Sequence, residues 1–162
     1  MTRPRYLHST VLCCSLLFVS GLSAQTLQVV NADGHSTTLT AAQIANVPHV
    51  PVDTRDHAAA AHFEGVPLSA VLSLAGIQLG DSMRGPRMAE ALLVEAADGY
   101  KVVFALAEAD PAFATREIIV ADKRDGKPLD AKEGPYRIVV PGDARPARWV
   151  RQVTTLRVIA VK

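Results

Sequence analysis

Cysteine is almost absent from this sequence. Cys13 and Cys14 are the only two among 162 residues, and both lie in an N-terminal segment that we expect to be removed. The remaining chain, from Gln25 to Lys162, therefore contains no thiol. Disulfide bonds are excluded even in an oxidising compartment, so packing and backbone hydrogen bonds must stabilise the fold.

The sequence also lacks an excess of charge of one sign and a long apolar run. The formal net charge is +1, so no basic surface for nucleic acid is indicated. The one pronounced apolar run, Val11 to Leu22, follows Arg3 and Arg5 and precedes Ser23-Ala24. This layout predicts a signal peptide over residues 1–24, and a run of roughly a dozen residues is too short to span a bilayer comfortably. We expect a periplasmic or secreted protein with no stable membrane span after signal removal, and an uncleaved anchor is the alternative.

Residues 25–162 have the length and pattern of a single domain. Thr40 and Gln43 form a capping box that predicts a helix over Ala41–Asn46. Apolar residues spaced by three and four from Leu68 to Ala75 predict a second helix that ends at Gly76.

Strands account for most of the rest. Thr54–His57 is predicted as a polar bend and Asp122–Pro128 as a charged loop. The sequence predicts an α+β domain, a β-rich mixed sheet with short helices. The predicted strands are Leu27–Val30, His35–Leu39, Val50–Asp53, Ala59–Phe63, Leu92 to the Asp98-Gly99 turn, Tyr100–Phe104, Glu117–Ala121, Arg137–Val140 and Val153–Val161.

A series of short motifs follows in order from Phe63 to the C-terminus. The series resembles the molybdopterin-binding oxidoreductase domain of the sulfite oxidase type, in particular its short exported members without haem and dimerisation domains. The motifs are Phe63–Leu68 (FEGVPL), Leu72 with Ala75-Gly76, Met83-Arg84-Gly85, Asp98-Gly99-Tyr100, Phe104–Glu108 (FALAE), Asp125–Leu129 (DGKPL), Gly134–Pro141 (GPYRIVVP) and Arg148-Trp149-Val150.

The resemblance implies a mixed β-fold that holds a pterin dithiolene, with molybdenum bound by a cysteine thiolate and the pterin phosphate held by basic residues. Tyr100 corresponds to an active-site tyrosine of sulfite-oxidising relatives. Arg148 stands where the family has a lysine or arginine close to the cofactor phosphate, and Arg145 is expected to face the same cleft. The resemblance thus marks Tyr100, Arg145 and Arg148 as candidate cofactor-binding residues, and gives Arg137 a structural role.

The departure from the family lies upstream of Phe63. Where family enzymes carry a long segment with the metal-ligating cysteine, this chain has only Val50–His62, which contains no cysteine. Losing the thiolate removes a ligand that completes and tunes the metal. Asp53 or Thr54 as an oxygen ligand is the alternative to a plain polar bend. The N-terminus has no twin-arginine pair, so nothing indicates export with a folded cofactor.

Two other groups of side chains could carry chemistry. One is a set of histidines and aspartates, which has none of the spacings typical of zinc or copper sites, so we predict exposed turns and no metal site. The other is a set of arginines around the loop Pro141–Trp149, which suits capture of phosphate, sulfate or carboxylate. A solvated loop with arginine stems on Trp149 is the alternative. The first set is His49, Asp53, Asp56, His57 and His62, and the second is Arg137, Arg145, Arg148 and Arg151.

Two classes of function remain open at this point. The first is an exported, cofactor-free relative whose basic cleft binds a small anionic ligand or an unknown protein partner. The second is a molybdopterin-dependent oxidoreductase that acts on a small oxyanion or sulfoxide-like substrate without a cysteine ligand. No residue is assigned a catalytic role, and a purely structural accessory role is a third alternative.

Overall fold

The computed structural model describes residues 25–160, so the predicted signal peptide at residues 1–24 lies outside the described residues. Within that range the chain forms ten β-strands, two α-helices and four short 3-10 turns. The strands are β1 (Thr26–Val30), β2 (Ser36–Thr40), β3 (Val50–Asp56), β4 (Ala59–Pro67), β5 (Glu90–Ala96), β6 (Lys101–Ala105), β7 (Ile119–Arg124), β8 (Lys127–Pro128), β9 (Arg137–Val139) and β10 (Val153–Ala160). The helices are α1 (Ala41–Ala45) and α2 (Leu68–Leu74), and the 3-10 turns are Gly80–Ser82, Gly85–Ala89, Leu106–Ala109 and Pro146–Arg148.

The strands form two sheets. The first has the order β2-β1-β10-β5-β6, in which β1 runs parallel to β10 and the other neighbours are antiparallel. The second has the order β3-β4-β7-β8, with β9 also paired to β7, and all its pairs are antiparallel. The predicted β-rich α+β class is confirmed, and the first sheet is mixed as expected.

One hydrophobic core joins both sheets. Phe63 and Ile119 of the second sheet belong to the same buried cluster as Leu92 and Phe104 of the first, and each is at most 1% exposed. Alternation along the strands brings these side chains to one face because successive residues point to opposite sides. Burial of a side chain of this size contributes about 1.5–3 kcal/mol.

Local signals located both helices. At α1 the Thr40 side chain accepts a hydrogen bond from the Gln43 backbone N–H, and the Gln43 side chain accepts one from the Thr40 N–H, so the predicted capping box is confirmed. The second helix, α2, buries Leu68 and Val71 against the sheet.

Two loops predicted from polar residues are instead tight hairpins. The predicted bend at Thr54–His57 is wrong, because β3 continues to Asp56 and only His57 and Ala58 turn the chain. The predicted loop at Asp122–Pro128 is also wrong, because β7 continues and returns as β8. Both turns place two successive residues at positive φ, which matches the twist of the flanking strands.

Candidate functional site

A cleft with a volume of about 970 Å³ opens in the described part of the chain. Three segments that are far apart in sequence form its walls: the tip of the β3–β4 hairpin, the β5–β6 turn, and the loop that precedes β10. Its lining residues are Arg55, His57, Ala58, Ala96, Asp98, Tyr100, Asp143, Ala144, Arg145, Pro146, Ala147 and Arg151.

The hairpin tip contributes a cation to the cleft. Arg55 lies near the end of β3, and its Nε donates to the Ala58 carbonyl oxygen at 3.3 Å. His57 and Ala58 turn the chain with φ of 48° and 72°. Left-handed conformations at non-glycine residues are strained by about 1–3 kcal/mol each and persist only where the surrounding structure fixes them.

The β5–β6 turn contributes Tyr100. The Tyr100 hydroxyl donates to the Ala147 carbonyl oxygen at 2.8 Å, and its backbone N–H donates to Asp98 Oδ1 at 2.9 Å. These bonds fasten the turn to the loop that carries Arg145. The tyrosine ring is half exposed, and its oxygen can still accept a hydrogen bond from a ligand.

The arginines divide sharply into paired and unpaired ones. Among residues 25–160, six have a carboxylate oxygen within 4.0 Å: Arg87, Arg116, Arg124, Arg137, Arg148 and Arg157. Four have none in the same part of the chain: Arg55, Arg84, Arg145 and Arg151. Three of these four line the cleft, and Arg84 is the exception. The cleft therefore gathers guanidinium groups whose charge is not neutralised by the protein.

Arg148 differs from Arg145 although only two residues separate them. Its Nε and Nη2 donate to the two carboxylate oxygens of Asp143 at 3.1 and 2.9 Å, and its Nη1 donates to Glu108 at 3.1 Å. The hydrogen bonds that Arg148 donates to Asp143 and Glu108 hold the pKa of Arg148 above its usual range. Its guanidinium also lies 5.0 Å from the centre of the Phe104 ring. Arg148 does not line the large cleft, so the structure brings Tyr100 and Arg145 together without it.

A buried charge cluster lies beside the cleft. Arg137 donates from Nη2 to Asp56 at 3.0 Å and from Nη1 to Glu133 at 2.7 Å, and Arg124 Nη1 reaches the same two carboxylates at 3.2 and 2.9 Å. Asp56 and Arg137 are 7% and 3% exposed, so the ion pair between them is desolvated, whereas the Arg124 side chain is 30% exposed. Arg137 also lies over the ring of Phe63, with its guanidinium carbon 5.1 Å from the ring centre. Arg137 has the structural role that the resemblance implies.

The histidines and the other candidate ligands do not converge. His49 pairs with Asp122 at 3.1 Å, and His62 pairs with Asp53 at 2.8 Å. Across residues 25–160 no group of three or more potential ligands is close enough to hold a metal ion. Asp53 is nine-tenths exposed and neither it nor Thr54 lines the cleft.

Comparison with known proteins assigns the chain to a family. The family described as oxidoreductase molybdopterin binding domain matches residues 22–161. The chain belongs to this family. No curated protein matches the chain. In the part of the chain that the structure describes, no helix is both long and apolar enough to cross a membrane.

The solved structures support the same fold. The sulfane dehydrogenase SoxCD from Paracoccus pantotrophus is similar with a TM-score of 0.66 and 17% sequence identity. The match covers 84% of this chain and 38% of the SoxCD chain, so this molybdopterin-binding domain spans well under half of that protein. At this identity the likeness concerns the fold alone.

The residues of the cleft fit only part of molybdopterin. Guanidinium groups suit a phosphate, and Arg55, Arg145 and Arg151 provide three. The remaining lining groups that could bind a metal are an imidazole, a phenol and two carboxylates, and no cysteine follows Cys14 in the sequence. The residues present therefore do not fit the thiolate-bound metal that the resemblance implies.

Sequence reasoning found part of this cleft and missed the rest. Tyr100, Arg145 and Arg151 were all marked by motif or clustering, whereas Arg55 was not. The position of Arg55 at a hairpin tip could not be predicted, because His57-Ala58 contains no glycine or asparagine to indicate a tight turn. Arg148 was marked by its motif, but its partner Glu108 is forty residues away in sequence.

Proposed function

We propose that this chain is an exported, single-domain member of the molybdopterin-binding family that binds a small anion in its arginine-lined cleft and carries out no molybdenum chemistry. The observation that carries the proposal is the gathering of Arg55, Arg145 and Arg151 at one cleft without carboxylate partners among the described residues. Hydrogen bonds to charged groups contribute about 1.5–3 kcal/mol each, so unpaired arginines offer binding energy to an incoming anion.

The charge balance of the cleft supports an anionic ligand. Of the two lining carboxylates, Asp143 is already bound by Arg116 and Arg148, and only Asp98 opposes the three free arginines. The cleft is open to solvent, so salt is expected to weaken binding.

Export rests on the N-terminal sequence alone. The basic residues Arg3 and Arg5, the apolar run Val11–Leu22 and the small pair Ser23-Ala24 follow the order of a secretory signal. The proposed location is the periplasm or the medium. Intact mass of the protein recovered from a periplasmic fraction tests it, and a mature N-terminus at or near Gln25 is expected.

Anion binding is tested by calorimetric titration of the mature protein with sulfate and phosphate at low ionic strength. Replacing both Arg145 and Arg151 with alanine is expected to weaken binding by at least about tenfold, since each 1.4 kcal/mol is a factor of ten. Arg84→Ala is the matched control, because Arg84 is exposed and unpaired but lies outside the cleft. Absence of binding to the unaltered protein, or an equal loss in the control, would overturn the proposal.

The competing function is a molybdopterin-dependent oxidoreductase that acts on a small oxyanion or sulfoxide-like substrate without a cysteine ligand. The family match over residues 22–161 favours it. The two are separated by metal analysis of protein purified from a host that makes the cofactor, together with release of fluorescent oxidised pterin. Stoichiometric molybdenum supports the oxidoreductase, and protein free of metal and pterin supports the anion-binding function.

A further inference from the structure

We infer that Asp56 is a positioning residue that fixes the spacing of Arg55 and Arg151, and that this spacing makes the cleft select doubly charged oxyanions over singly charged ones. The inference rests on the proposed anion binding and adds to it a class of ligand and a residue that determines specificity. Asp56 does not line the large cleft, so it would act through its neighbours.

Asp56 connects the charge cluster to Arg55. Asp56 ends β3, and its side chain is bound by Arg124 and Arg137. Its sequence neighbours Arg55 and His57 both line the cleft. The Asp56 carboxylate therefore anchors the hairpin tip to the charge cluster, while the residues on either side of Asp56 line the cleft.

Glu133 connects the same cluster to Arg151. Glu133 binds Arg124 and Arg137 through one carboxylate oxygen, and its backbone carbonyl accepts a hydrogen bond from the Gln152 N–H at 2.8 Å. Gln152 follows Arg151 directly, and its side chain donates to the Ala131 carbonyl at 2.7 Å. The cluster thus holds the backbone beside both arginines.

Strained backbone near Arg55 and Arg151 indicates that the surrounding structure fixes the conformation of both segments. Four non-glycine residues in the described range have positive φ: His57, Ala58, Asp125 and Gln152. Gln152 directly follows Arg151, and His57 and Ala58 form the hairpin tip beyond Arg55 and Asp56. Strained backbone that the surrounding structure over-determines is typical of ligand-binding sites.

The charge that remains at the cleft explains the preference. Asp143 is neutralised by its own arginines, so the three free arginines are opposed only by Asp98, which leaves a surplus of two positive charges. A dianion held between Arg55 and Arg151 can bind both arginines with charge-assisted hydrogen bonds on each side. A monoanion carries half the charge of the dianion and therefore gains less from two arginines than the dianion does. The preference for the dianion requires that Arg55 and Arg151 be spaced so that both can contact it.

The test compares sulfate with methyl sulfate, which share the tetrahedral sulfur centre, whereas methyl sulfate carries one charge less and has one of its oxygens esterified. The unaltered protein is expected to prefer sulfate by about tenfold, the factor that corresponds to one charge-assisted contact of 1.4 kcal/mol. Asp56→Asn is expected to reduce that ratio to about twofold. Asp53→Asn is the matched control on the same strand, since Asp53 is nine-tenths exposed and bonds only to His62, and its ratio should be unchanged.

A second variant guards against misfolding of Asp56→Asn, which leaves Arg137 partly uncompensated. Arg124→Gln removes the cluster member that is 30% exposed and keeps both bonds of Arg137. An intermediate ratio is expected. If sulfate binds the unaltered protein but both variants that fold keep its selectivity, this inference is wrong and anion binding stands. If the unaltered protein binds neither anion, the proposed function itself fails.

Discussion

Arg145 and Arg148 should separate binding from stability. The two arginines lie in one loop and were both marked as candidate cofactor-binding residues, yet only Arg148 is bound by carboxylates of the protein. We expect Arg148→Ala to lower the free energy of unfolding with little effect on anion affinity, because Arg116 still pairs with Asp143. We expect Arg145→Ala to do the reverse.

The expected loss for Arg148→Ala follows from its contacts. Two hydrogen bonds reach Asp143, a third reaches Glu108, and the guanidinium covers the buried ring of Phe104. Exposed ion pairs contribute only about 0–1 kcal/mol. The side chain is 32% exposed and its partner Asp143 only 11%, and a cation-π contact adds about 0.5–1 kcal/mol, so the loss should be about 2 kcal/mol.

Urea unfolding and sulfate titration measure the two effects. With a urea slope of about 2 kcal/mol/M, Arg148→Ala should lower the midpoint by about 1 M. Arg145→Ala should leave the unfolding free energy within about 0.5 kcal/mol, because its guanidinium has no partner to lose. Its sulfate affinity should fall by about tenfold.

The reverse result would refute this reasoning. If Arg148→Ala kept its stability and lost sulfate binding, the Asp143 and Glu108 pairs would be exchangeable and Arg148 would contact the anion directly. Arg148→Lys refines the comparison, because lysine keeps the charge but cannot form the two parallel bonds to Asp143. It should recover less than half of the lost stability.

Three further results are expected. Ala58→Gly should stabilise the protein by about 1 kcal/mol in urea unfolding, because Ala58 has φ of 72° and glycine adopts this region without strain; a loss of stability would contradict the strain. Gly65→Ala should lower the unfolding free energy by more than about 2 kcal/mol, since a Cβ there would overlap the Val120 backbone carbonyl, and near-neutral behaviour would show that β4 and β7 can separate. The hydrogen bond that the His62 ring donates to Asp53 raises the pKa of His62, so the NMR titration midpoint of His62 should lie above 6.5 and fall in Asp53→Asn. Because the folded pKa is the raised one, this pair stabilises the fold below pH 6.5 and the contribution is lost as the pH rises through the folded pKa.

The sequence predicts those parts of the fold that short-range chemistry determines. The capping box of Thr40 and Gln43 and the Asp98-Gly99 turn each depend on residues within four positions, and both are confirmed. The tip at His57-Ala58 could not be predicted in this way, since neither residue favours positive φ by itself. Seven cross-strand pairs from Val50 to Asp56 impose that turn, so tertiary pairing overrides local preference.

The sequence predicts where the site lies more readily than it predicts which of its arginines are paired and which are free. Tyr100, marked by its motif, and Arg145, marked by the arginine cluster, line one cleft. The state of each arginine depends on carboxylates that approach from other segments, such as Glu108 at Arg148 and Asp56 at Arg137. No spacing rule along one strand reveals such pairs, because folding alone brings them together.

The short segment Val50–His62 has a definite part in the cleft. A hairpin of this length carries Arg55 to the cleft, and the arginine at the expected phosphate position, Arg148, is neutralised by Asp143 and Glu108. A cleft that is lined by three guanidinium groups and no thiol suits oxyanions but does not suit a thiolate-bound metal. Fold membership therefore does not determine the function of the cleft, and the proposed anion binding depends on the side chains that line it.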